Sequence, residues 1–217
     1  MSHSGSDVFD PAFWHRHWAD AVQESEGSLE PPALRPPNPY TLSAAASVPT
    51  GSVLDAGSGA GAGAIALARQ GWRVTAVDTS PQALQLAATH SRKTDLAGSI
   101  EWIEADITQW QPGGGFDLVT CSHVHTSLPQ PELLQRLAGW VNPLGSLVMV
   151  GHAPGHHDAD EDHPPESATN AREPLHAALD RAVWQVTTQT HTRSVPRGEG
   201  RAKTLHDVVL WARRHVS

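Results

Sequence analysis

Short apolar runs alternate with Ala-rich and Leu-rich stretches through the middle of the chain. The apolar runs are SVLDAG, WRVTAVD, IEWIEAD, FDLVTCS and SLVMVGH. The segments between them, such as GAGAIALARQ and TSPQALQLAATHSRK, favour helices. Strands that alternate with helices at this spacing predict βαβ units and a parallel sheet. Right-handed crossovers then place helices on both faces, which makes the predicted fold an α/β doubly wound sheet.

The N-terminal part of the chain departs from this pattern. We expect residues 1–10, which are polar, to be disordered. The next residues, 11–24, predict a short helix with Trp14 and Trp18 on one face, because side chains four apart share a face. A Pro-rich connector and a second short helix follow. We interpret residues 11–49 as a cap on the sheet domain.

The C-terminal part departs from it as well. Residues 153–171 are acidic, carry His and Pro, and predict a long loop, which we interpret as a lid. After a helix, VWQVTTQTHTRSV alternates in polarity and KTLHDVVLWARR is a further apolar run, and the two predict an antiparallel pair at the sheet edge. The whole of 11–217 is expected to form a single domain.

The strongest chemical signal is the segment VLDAGSGAG at residues 53–61. It lies between a strand and a helix, where the backbone N–H groups of a helix start face a ligand. Gly57, Gly59 and Gly61 allow a sharp turn and a close backbone approach. The segment satisfies the loose dinucleotide pattern G-x-G-x-x-G/A, which by itself is weak.

Three aspartates at strand ends narrow the ligand class. Asp55 lies two residues before Gly57, where a carboxylate repels a pyrophosphate and suits a cation such as the methionine part of S-adenosylmethionine, with its ammonium and sulfonium groups. Asp78 ends the second strand and is the expected partner of two ribose hydroxyls. Asp106 follows the third strand and is placed to receive an adenine amino group. All three converge on one crevice.

These residues resemble a known family. VLDAGSGAGAGAIALARQGWRVTAVDTS is similar to the cofactor-binding segment of class I S-adenosylmethionine-dependent methyltransferases, and IEWIEADI, FDLVTCSHVH and PELLQRLAGWVNPLGSLVMVGH resemble the segments that follow. FWHRHW and the closing hairpin resemble the small tellurite-resistance and thiopurine-methyltransferase branch. The resemblance covers about residues 50–152. It departs at Ala56 and Ser58, where many members have Val or Ile and Cys.

The resemblance implies a Rossmann-like seven-stranded sheet, mostly parallel with an antiparallel C-terminal strand, and S-adenosyl-L-methionine as the cofactor. We expect cofactor contacts from the N-terminal helix, the glycine loop and the ends of the second to fourth strands. The residues are Trp14, Trp18, Asp55, Ala56, Gly57, Ser58, Gly59, Asp78, Thr79, Ser80, Asp106, Ile107, Cys121, Ser122 and His123.

Methyl transfer from a sulfonium is an in-line displacement for which the protein mainly supplies proximity. A base is needed only when the nucleophile arrives protonated. His123 and His125 follow the fourth strand and His152 ends the fifth, so these three are the catalytic candidates. Cys121, at the end of a buried strand, is expected to behave as a small hydrophobe rather than as a nucleophile.

One cluster in and before the long loop carries metal-binding residue types. Imidazole suits zinc or nickel, but the spacing in this cluster matches no fixed motif, so we assign no metal ligand here. The residues are His152, His156, His157, Asp158, Asp160, Asp162 and His163.

Composition limits the partners. A formal net charge of −8 disfavours nucleic acid, which favours a positive surface, and one Cys fits a reducing compartment. Neither a secretory signal nor an apolar run long enough to span a membrane is visible, so we expect a cytoplasmic protein. The expected partner is a small-molecule methyl acceptor with N, O, S or a heavier chalcogen as nucleophile, and the protein is expected to be a monomer or a homodimer.

Two other functions stay open from the sequence. A nicotinamide-dependent oxidoreductase also uses a glycine turn, but it would place a pyrophosphate beside Asp55, and the single Tyr of the chain, Tyr40, lies outside the sheet. A non-catalytic partner or sensor could bind the same cofactor, since fold does not imply function.

Overall fold

The computed structural model describes residues 9–25, 36–94, 96, 99–154, 169–197 and 201–216. Of residues 1–10, for which we predicted disorder, 1–8 lie outside these ranges, whereas Phe9 is buried and Asp10 accepts a hydrogen bond at the start of the first helix. Most of the predicted lid loop also lies outside these ranges, with His156, His157, Asp158, Asp160, Asp162 and His163. The expectations for residues 1–8 and for this loop therefore stay predictions.

The described chain forms six helices and seven strands. The helices are α1 (Pro11–Ser25), α2 (Pro39–Ala46), α3 (Ala62–Arg69), α4 (Pro81–Lys93), α5 (Gln130–Ala138) and α6 (Arg172–Ala177). The strands are β1 (Ser52–Ala56), β2 (Arg73–Asp78), β3 (Ile100–Glu104), β4 (Phe116–Ser122), β5 (Val141–His152), β6 (Trp184–Arg197) and β7 (Arg201–Arg214).

The strands form one sheet in the order β3-β2-β1-β4-β5-β7-β6. Every pairing from β3 across to β5 is parallel. Strand β7 inserts between β5 and β6 and runs antiparallel to both. This arrangement confirms the predicted Rossmann-like, doubly wound, seven-stranded sheet with an antiparallel C-terminal strand.

Side-chain alternation along β1 divides the core into two layers. Val53 packs with Leu67 of α3 on one face, whereas Leu54 packs with Leu134 of α5 on the other. All four side chains are fully buried, and each contributes about 1.5–3 kcal/mol of transfer free energy. Because both faces are covered, the strands read as continuous apolar runs rather than as an alternating pattern.

Three helices begin at a polar residue followed by proline. Phe13 N donates to the side chain of Asp10 at 2.7 Å, and Ala83 N donates to Ser80 Oγ at 3.3 Å. Each cap satisfies one of the backbone donors that a helix start leaves unpaired, and proline at the first helical position needs no donor partner. The three pairs are Asp10-Pro11, Asn38-Pro39 and Ser80-Pro81.

The start of β5 differs from the sequence prediction. The apolar run SLVMVGH predicts a strand that begins at Ser146, but β5 begins at Val141, which pairs with Phe116 of β4. The register then shifts before Leu118 pairs with Ser146. Leu144 takes a positive φ of 65° in the irregular stretch, so the turn-forming residues make a bulge inside the strand.

Asp117 joins three strands at the amino-terminal edge of the sheet. Its Oδ2 accepts hydrogen bonds from Ser52 N at 2.8 Å and Ser52 Oγ at 2.9 Å, and its Oδ1 accepts one from Asn142 Nδ2 at 2.9 Å. The bond from Ser52 N is the largest of the effects that hold the pKa of Asp117 below its ordinary value, followed by the bond from Asn142.

We predict that Asp117→Ala lowers the free energy of unfolding at pH 7 by about 1–3 kcal/mol, because three hydrogen bonds are lost. A depressed carboxylate pKa contributes stability above the unfolded pKa of about 3.9 and loses it as the pH falls through the folded value. The gap between wild type and variant should therefore shrink towards pH 3, as measured by urea denaturation.

The matched control is Glu101→Ala, which removes an exposed carboxylate from β3 and should change stability by less than about 0.5 kcal/mol. The difference in the free energy of unfolding between wild type and Asp117→Ala is the quantity to compare. An equal difference at pH 7 and pH 3 would show that the ionised carboxylate of Asp117 does not hold these strands together.

Candidate active site

A cavity of about 1000 Å³ opens at the carboxyl ends of the parallel strands. It lies where the strand order reverses between β1 and β4, the position at which open α/β sheets hold ligands. Its wall includes α1, the loop after β1, the ends of β2, β4 and β5, and part of β6. This size suits a cofactor together with a small second ligand.

The turn after β1 is anchored to β2 through the backbone. Gly57 N and Ser58 N both donate to Val77 O, at 2.8 and 3.1 Å. Gly57 takes a φ of 70°, and a Cβ built on it would lie 2.2 Å from a methyl group of Val124. Only glycine meets both conditions, so this position of the motif serves the turn itself.

Asp78 ties the glycine turn to the end of β2. Its Oδ2 accepts a hydrogen bond from Gly59 N at 2.8 Å, and its Oδ1 accepts one from Ser80 N at 2.9 Å. Burial raises the pKa of Asp78 above its ordinary value, although these hydrogen bonds act in the opposite direction. The carboxylate lines the cavity, so a ligand hydroxyl group that reaches it meets strong acceptors.

Asp55 is a buried carboxyl group beneath the same turn. Thr120 Oγ1 donates to its Oδ1 at 2.9 Å, and Ala64 N at the start of α3 also donates to the carboxyl group. Burial raises the pKa of Asp55 to about 6. Among the described residues, the ion pairs of the structure involve Asp207 and none involves Asp55. The described residues therefore supply hydrogen bonds to this carboxylate but no cation.

Helix α1 closes one side of the cavity. Trp14 Nε1 donates to His125 O at 3.0 Å, and His15 Nε2 lies 2.6 Å from Thr79 O. The ring of Trp18 covers Gly59, where an added Cβ would lie 2.9 Å from its Cζ2. The two tryptophans therefore act as cavity walls as well as packing groups.

The three candidate histidines lie together in the cavity wall, next to Trp14 of α1, whose ring centroid is 6.3 Å from that of His125. The ring centroids of His123 and His152 are 4.4 Å apart, and those of His125 and His152 are 6.4 Å apart. Burial, with smaller effects from neighbouring positive groups, lowers the pKa of His123 to about 3 and that of His125 to about 4. Both imidazoles are therefore neutral at pH 7 and are weak proton acceptors.

An Arg–Asp pair beside these rings was not predicted from the sequence. Asp207 of β7 is fully buried, and its Oδ2 accepts a hydrogen bond from Arg193 Nε at 2.5 Å. Arg193 of β6 lines the cavity and also donates from Nη2 to His123 Nε2 at 3.4 Å. The sequence feature that could have indicated this pair is Asp207, the one acidic residue in the apolar segment KTLHDVVLWARR.

Most of the predicted site residues line the cavity. They are Trp14, Trp18, Asp55, Gly57, Ser58, Gly59, Asp78, Thr79, Asp106, Ile107, Ser122, His123, His125 and His152. Within this set, Oδ1 of Asp106 accepts a hydrogen bond from Thr108 N at 2.8 Å. This bond stabilises the turn after β3.

Three predicted residues do not reach the cavity wall. Ala56 and Cys121 each expose 1% of their surface and pack in the main apolar core. The side chain of Ser80 is fully buried because its oxygen caps α4. Burial raises the pKa of Cys121 to about 12, which keeps it a thiol, as expected for a small buried hydrophobe.

Comparison with known proteins shows similarity to methyltransferases. Residues 53–145 match the family described as "Methyltransferase domain". The chain is 32% identical over 142 residues to a ubiquinone biosynthesis O-methyltransferase of Xanthomonas campestris, covering 64% of this chain and 56% of that protein. The mitochondrial enzyme of that name from Schizosaccharomyces pombe is 39% identical over 99 residues, which cover 45% of this chain and 36% of that one. The chain thus spans about half the length, or less, of these curated relatives.

Solved structures agree on the fold. TehB from Haemophilus influenzae matches with a TM-score of 0.66 and 18% identity, over 89% of this chain and 66% of that one. Magnesium protoporphyrin IX methyltransferase from Synechocystis PCC 6803, solved with bound S-adenosylmethionine, matches with a TM-score of 0.63 and 18% identity, over 98% of this chain and 100% of that one. Residues 53–145 thus resemble a methyltransferase domain, and the chain shares its fold with these two solved proteins.

Within the described residues, no helix combines the length and the apolar character that crossing a bilayer demands.

We predict that Asp55→Asn stabilises the ligand-free protein at pH 7.5. A carboxyl group whose folded pKa is raised to about 6 opposes folding once it ionises, so its cost grows as the pH rises from 4 to above 6. A pKa shift of two units lowers the free energy of unfolding by about 3 kcal/mol once the carboxyl group is fully ionised. The gain of the variant is smaller than this value, because the substitution also removes a hydrogen bond to the carboxylate. Urea denaturation at pH 4.5 and 7.5 should show the stability gain of the variant at the higher pH only.

The control for this prediction is Asp106→Asn, the same substitution on a half-buried residue at the same edge of the sheet. An Asp55→Asn protein that is less stable than wild type by the same amount at both pH values would contradict an ionisation cost at Asp55.

Proposed function

We propose that this chain is a class I methyltransferase, which binds S-adenosyl-L-methionine and transfers its methyl group to a small-molecule nucleophile. The observation that carries the proposal is the placement of two carboxylates, Asp55 and Asp78, on either side of the glycine turn in one cavity. Asp55 in particular is a buried acceptor to which the described residues bring no cation.

In this proposal the cofactor residues divide by the part of the ligand they contact. Asp78 accepts hydrogen bonds from the two ribose hydroxyls, with Gly59 N beside it. Asp106 and Ile107 hold the adenine from the loop after β3. Asp55 stabilises the methionine ammonium group through its charge, and ligand binding in turn favours the ionised form of this carboxyl group.

The chemical step is an in-line displacement at the methyl carbon. The acceptor atom donates an electron pair to that carbon, and the bond between carbon and sulfur breaks with its pair going to sulfur. The sulfonium thereby becomes a neutral thioether. The protein supplies proximity and alignment, the dominant contribution available to such a reaction. We assign His123, His125 and His152 to the acceptor end, where their neutral rings orient the nucleophile by hydrogen bonds.

A small acceptor fits the cavity and the relatives. The curated relatives in Xanthomonas and Schizosaccharomyces are named as O-methyltransferases of ubiquinone biosynthesis, which makes hydroxylated aromatic compounds the first acceptors to screen. The acidic composition of the chain argues against nucleic acid as substrate. We also propose that residues 11–217 form a single domain. The protein is proposed to be a monomer or a homodimer and to be located in the cytoplasm.

The competing functions make distinct predictions. A non-catalytic sensor would bind the cofactor but release no S-adenosylhomocysteine with any acceptor. A nicotinamide-dependent oxidoreductase would bind NADH, although the buried Asp55 would then stand beside a pyrophosphate. Release of S-adenosylhomocysteine in the presence of an acceptor panel separates these possibilities.

We predict that Asp78→Ala weakens binding of S-adenosylmethionine and S-adenosylhomocysteine by roughly 100-fold, because about 3 kcal/mol of charge-assisted hydrogen bonding is lost. Isothermal titration calorimetry with both compounds and with NADH measures this effect. The matched control is Glu104→Ala, an exposed carboxylate that pairs in register with Asp78 and lies outside the cavity lining.

Binding of the first two compounds by the Glu104→Ala variant and its loss in Asp78→Ala would support the cofactor site. Binding of NADH alone to the wild type would instead favour the oxidoreductase. Binding of none of the three would leave the methyltransferase proposal without its cofactor.

A second prediction concerns the N-terminal helix. Trp18→Ala should weaken cofactor binding five- to thirty-fold, or roughly 1–2 kcal/mol, because an aromatic wall over Gly59 is removed. The control is Arg16→Ala, an exposed residue of the same helix. Equal affinities in the two variants, again by calorimetry, would show that α1 does not cover the cofactor.

A further inference from the structure

The polar cluster at the acceptor end of the cavity has the composition of a metal site. His123 follows β4, His152 ends β5, and Asp207 lies directly opposite His152 in the register of β5 with β7. One potential ligand atom from each residue lies within 4.8 Å of those from the other two. Three separate strands therefore bring two imidazoles and one carboxylate to a single point, and none of these contacts follows from local sequence.

Two atoms of this cluster are buried and find no hydrogen-bond partner among the described residues. Asp207 is fully buried, and its Oδ1 accepts no hydrogen bond, although it lies 3.7 Å from His123 Nε2. Nδ1 of His123 is likewise buried and unpaired. A buried carboxylate oxygen without a hydrogen-bond partner has lost its contacts with water and gained none in the protein, which destabilises its charged form. A cation at this point would stabilise that form.

Arg193 already shows that the cluster attracts positive charge. Its guanidinium binds Asp207 Oδ2 and reaches His123 Nε2, so it approaches two of the three donors. The side chain is still 23% exposed and lines the cavity, and an arginine side chain is long and flexible. A metal ion would bind Asp207 Oδ1 and the imidazoles of His123 and His152. It would compete with Arg193 for His123.

We propose that His123, His152 and Asp207 bind a divalent first-row transition metal ion whose open coordination positions face the cavity. Two imidazole nitrogens with one carboxylate favour zinc, cobalt, nickel or iron over magnesium and calcium, which prefer all-oxygen ligands. Bonds of about 2.0–2.2 Å require the donors to approach to roughly 3.0–3.5 Å of one another, a closure that side-chain rotation supplies.

The role of this ion rests on the proposed methyl transfer. An acceptor hydroxyl group that binds the ion loses its proton to solvent, and the resulting oxygen anion attacks the methyl carbon. The carbon–oxygen bond forms while the carbon–sulfur bond breaks with its electron pair going to sulfur. The acceptor class is then an oxygen nucleophile with a second donor atom that completes a chelate.

The first experiment measures metal binding without any methyl transfer. Chelator-treated protein is titrated with Zn²⁺ and Co²⁺, with Mg²⁺ as the comparison ion, by equilibrium dialysis and by the visible spectrum of bound Co²⁺. We expect one equivalent of Zn²⁺ or Co²⁺ and no competition by Mg²⁺. Loss of a ligand in His152→Gln or in Asp207→Asn should weaken metal binding by roughly 100-fold. This loss lies at the upper end of the roughly 10–100-fold losses seen when a residue that only hydrogen-bonds a metal ligand is replaced.

Two further variants sharpen this test. Arg193→Gln removes the competing cation and keeps the three donors, so it should bind the metal more tightly than wild type. A triple variant, His156→Gln, His157→Gln and His163→Gln, removes the other histidines of the predicted loop cluster and should bind it as wild type does. Circular dichroism and thermal melting confirm that each variant folds.

Several outcomes would overturn the proposal. These are no stoichiometric binding to wild type, equal binding by His152→Gln, loss of binding in the triple variant, or unchanged affinity in Arg193→Gln. Calorimetry with S-adenosylmethionine on the same samples keeps the two ideas separate. Cofactor binding without metal binding contradicts only the metal site, whereas metal binding without cofactor binding contradicts only the proposed methyl transfer.

Discussion

The backbone turn after β1 is the constraint on which the cavity depends. Two N–H groups of this turn converge on Val77 O, which fixes the end of β1 against the end of β2. Gly59 N then falls within reach of Asp78, and the start of α3 falls within reach of Asp55. Carboxylates that belong to different strands are thereby held around one opening. A side chain at Gly57 would collide with Val124 and push this turn away from β4.

The cavity has two chemically different ends. At the cofactor end, hydrogen bonds from backbone N–H groups surround carboxylates, which favours hydroxyl groups and cations as ligands. At the acceptor end, burial keeps His123 and His125 neutral. The buried carboxylate of Asp207 is paired there with Arg193. That end is therefore suited to orienting a nucleophile rather than to storing a proton at neutral pH.

The family and the structure bear on different parts of the chain. The family match covers residues 53–145, which include the glycine turn and the acids around it. The acceptor end draws on His152, Arg193 and Asp207, which lie beyond that match. Cofactor binding is for this reason the better supported half of the proposed function. The acceptor end carries the features in which this chain can differ from proteins that share its fold.

Much of the fold and of the cofactor end was predictable from the sequence, because both rest on local physical rules. Apolar runs of strand length marked the strands, Ser80 before Pro81 marked a helix start, and Asp55 and Asp78 stood at strand ends that a parallel sheet must bring together. The bulge at Leu144 was missed, since it depends on the pairing of β5 with β4. Ala56 and Cys121 were misplaced because the direction of a side chain depends on which face the core occupies. Only the tertiary structure decided that Asp207 meets His123, His152 and Arg193, because the insertion of β7 between β5 and β6 joins residues distant in the chain.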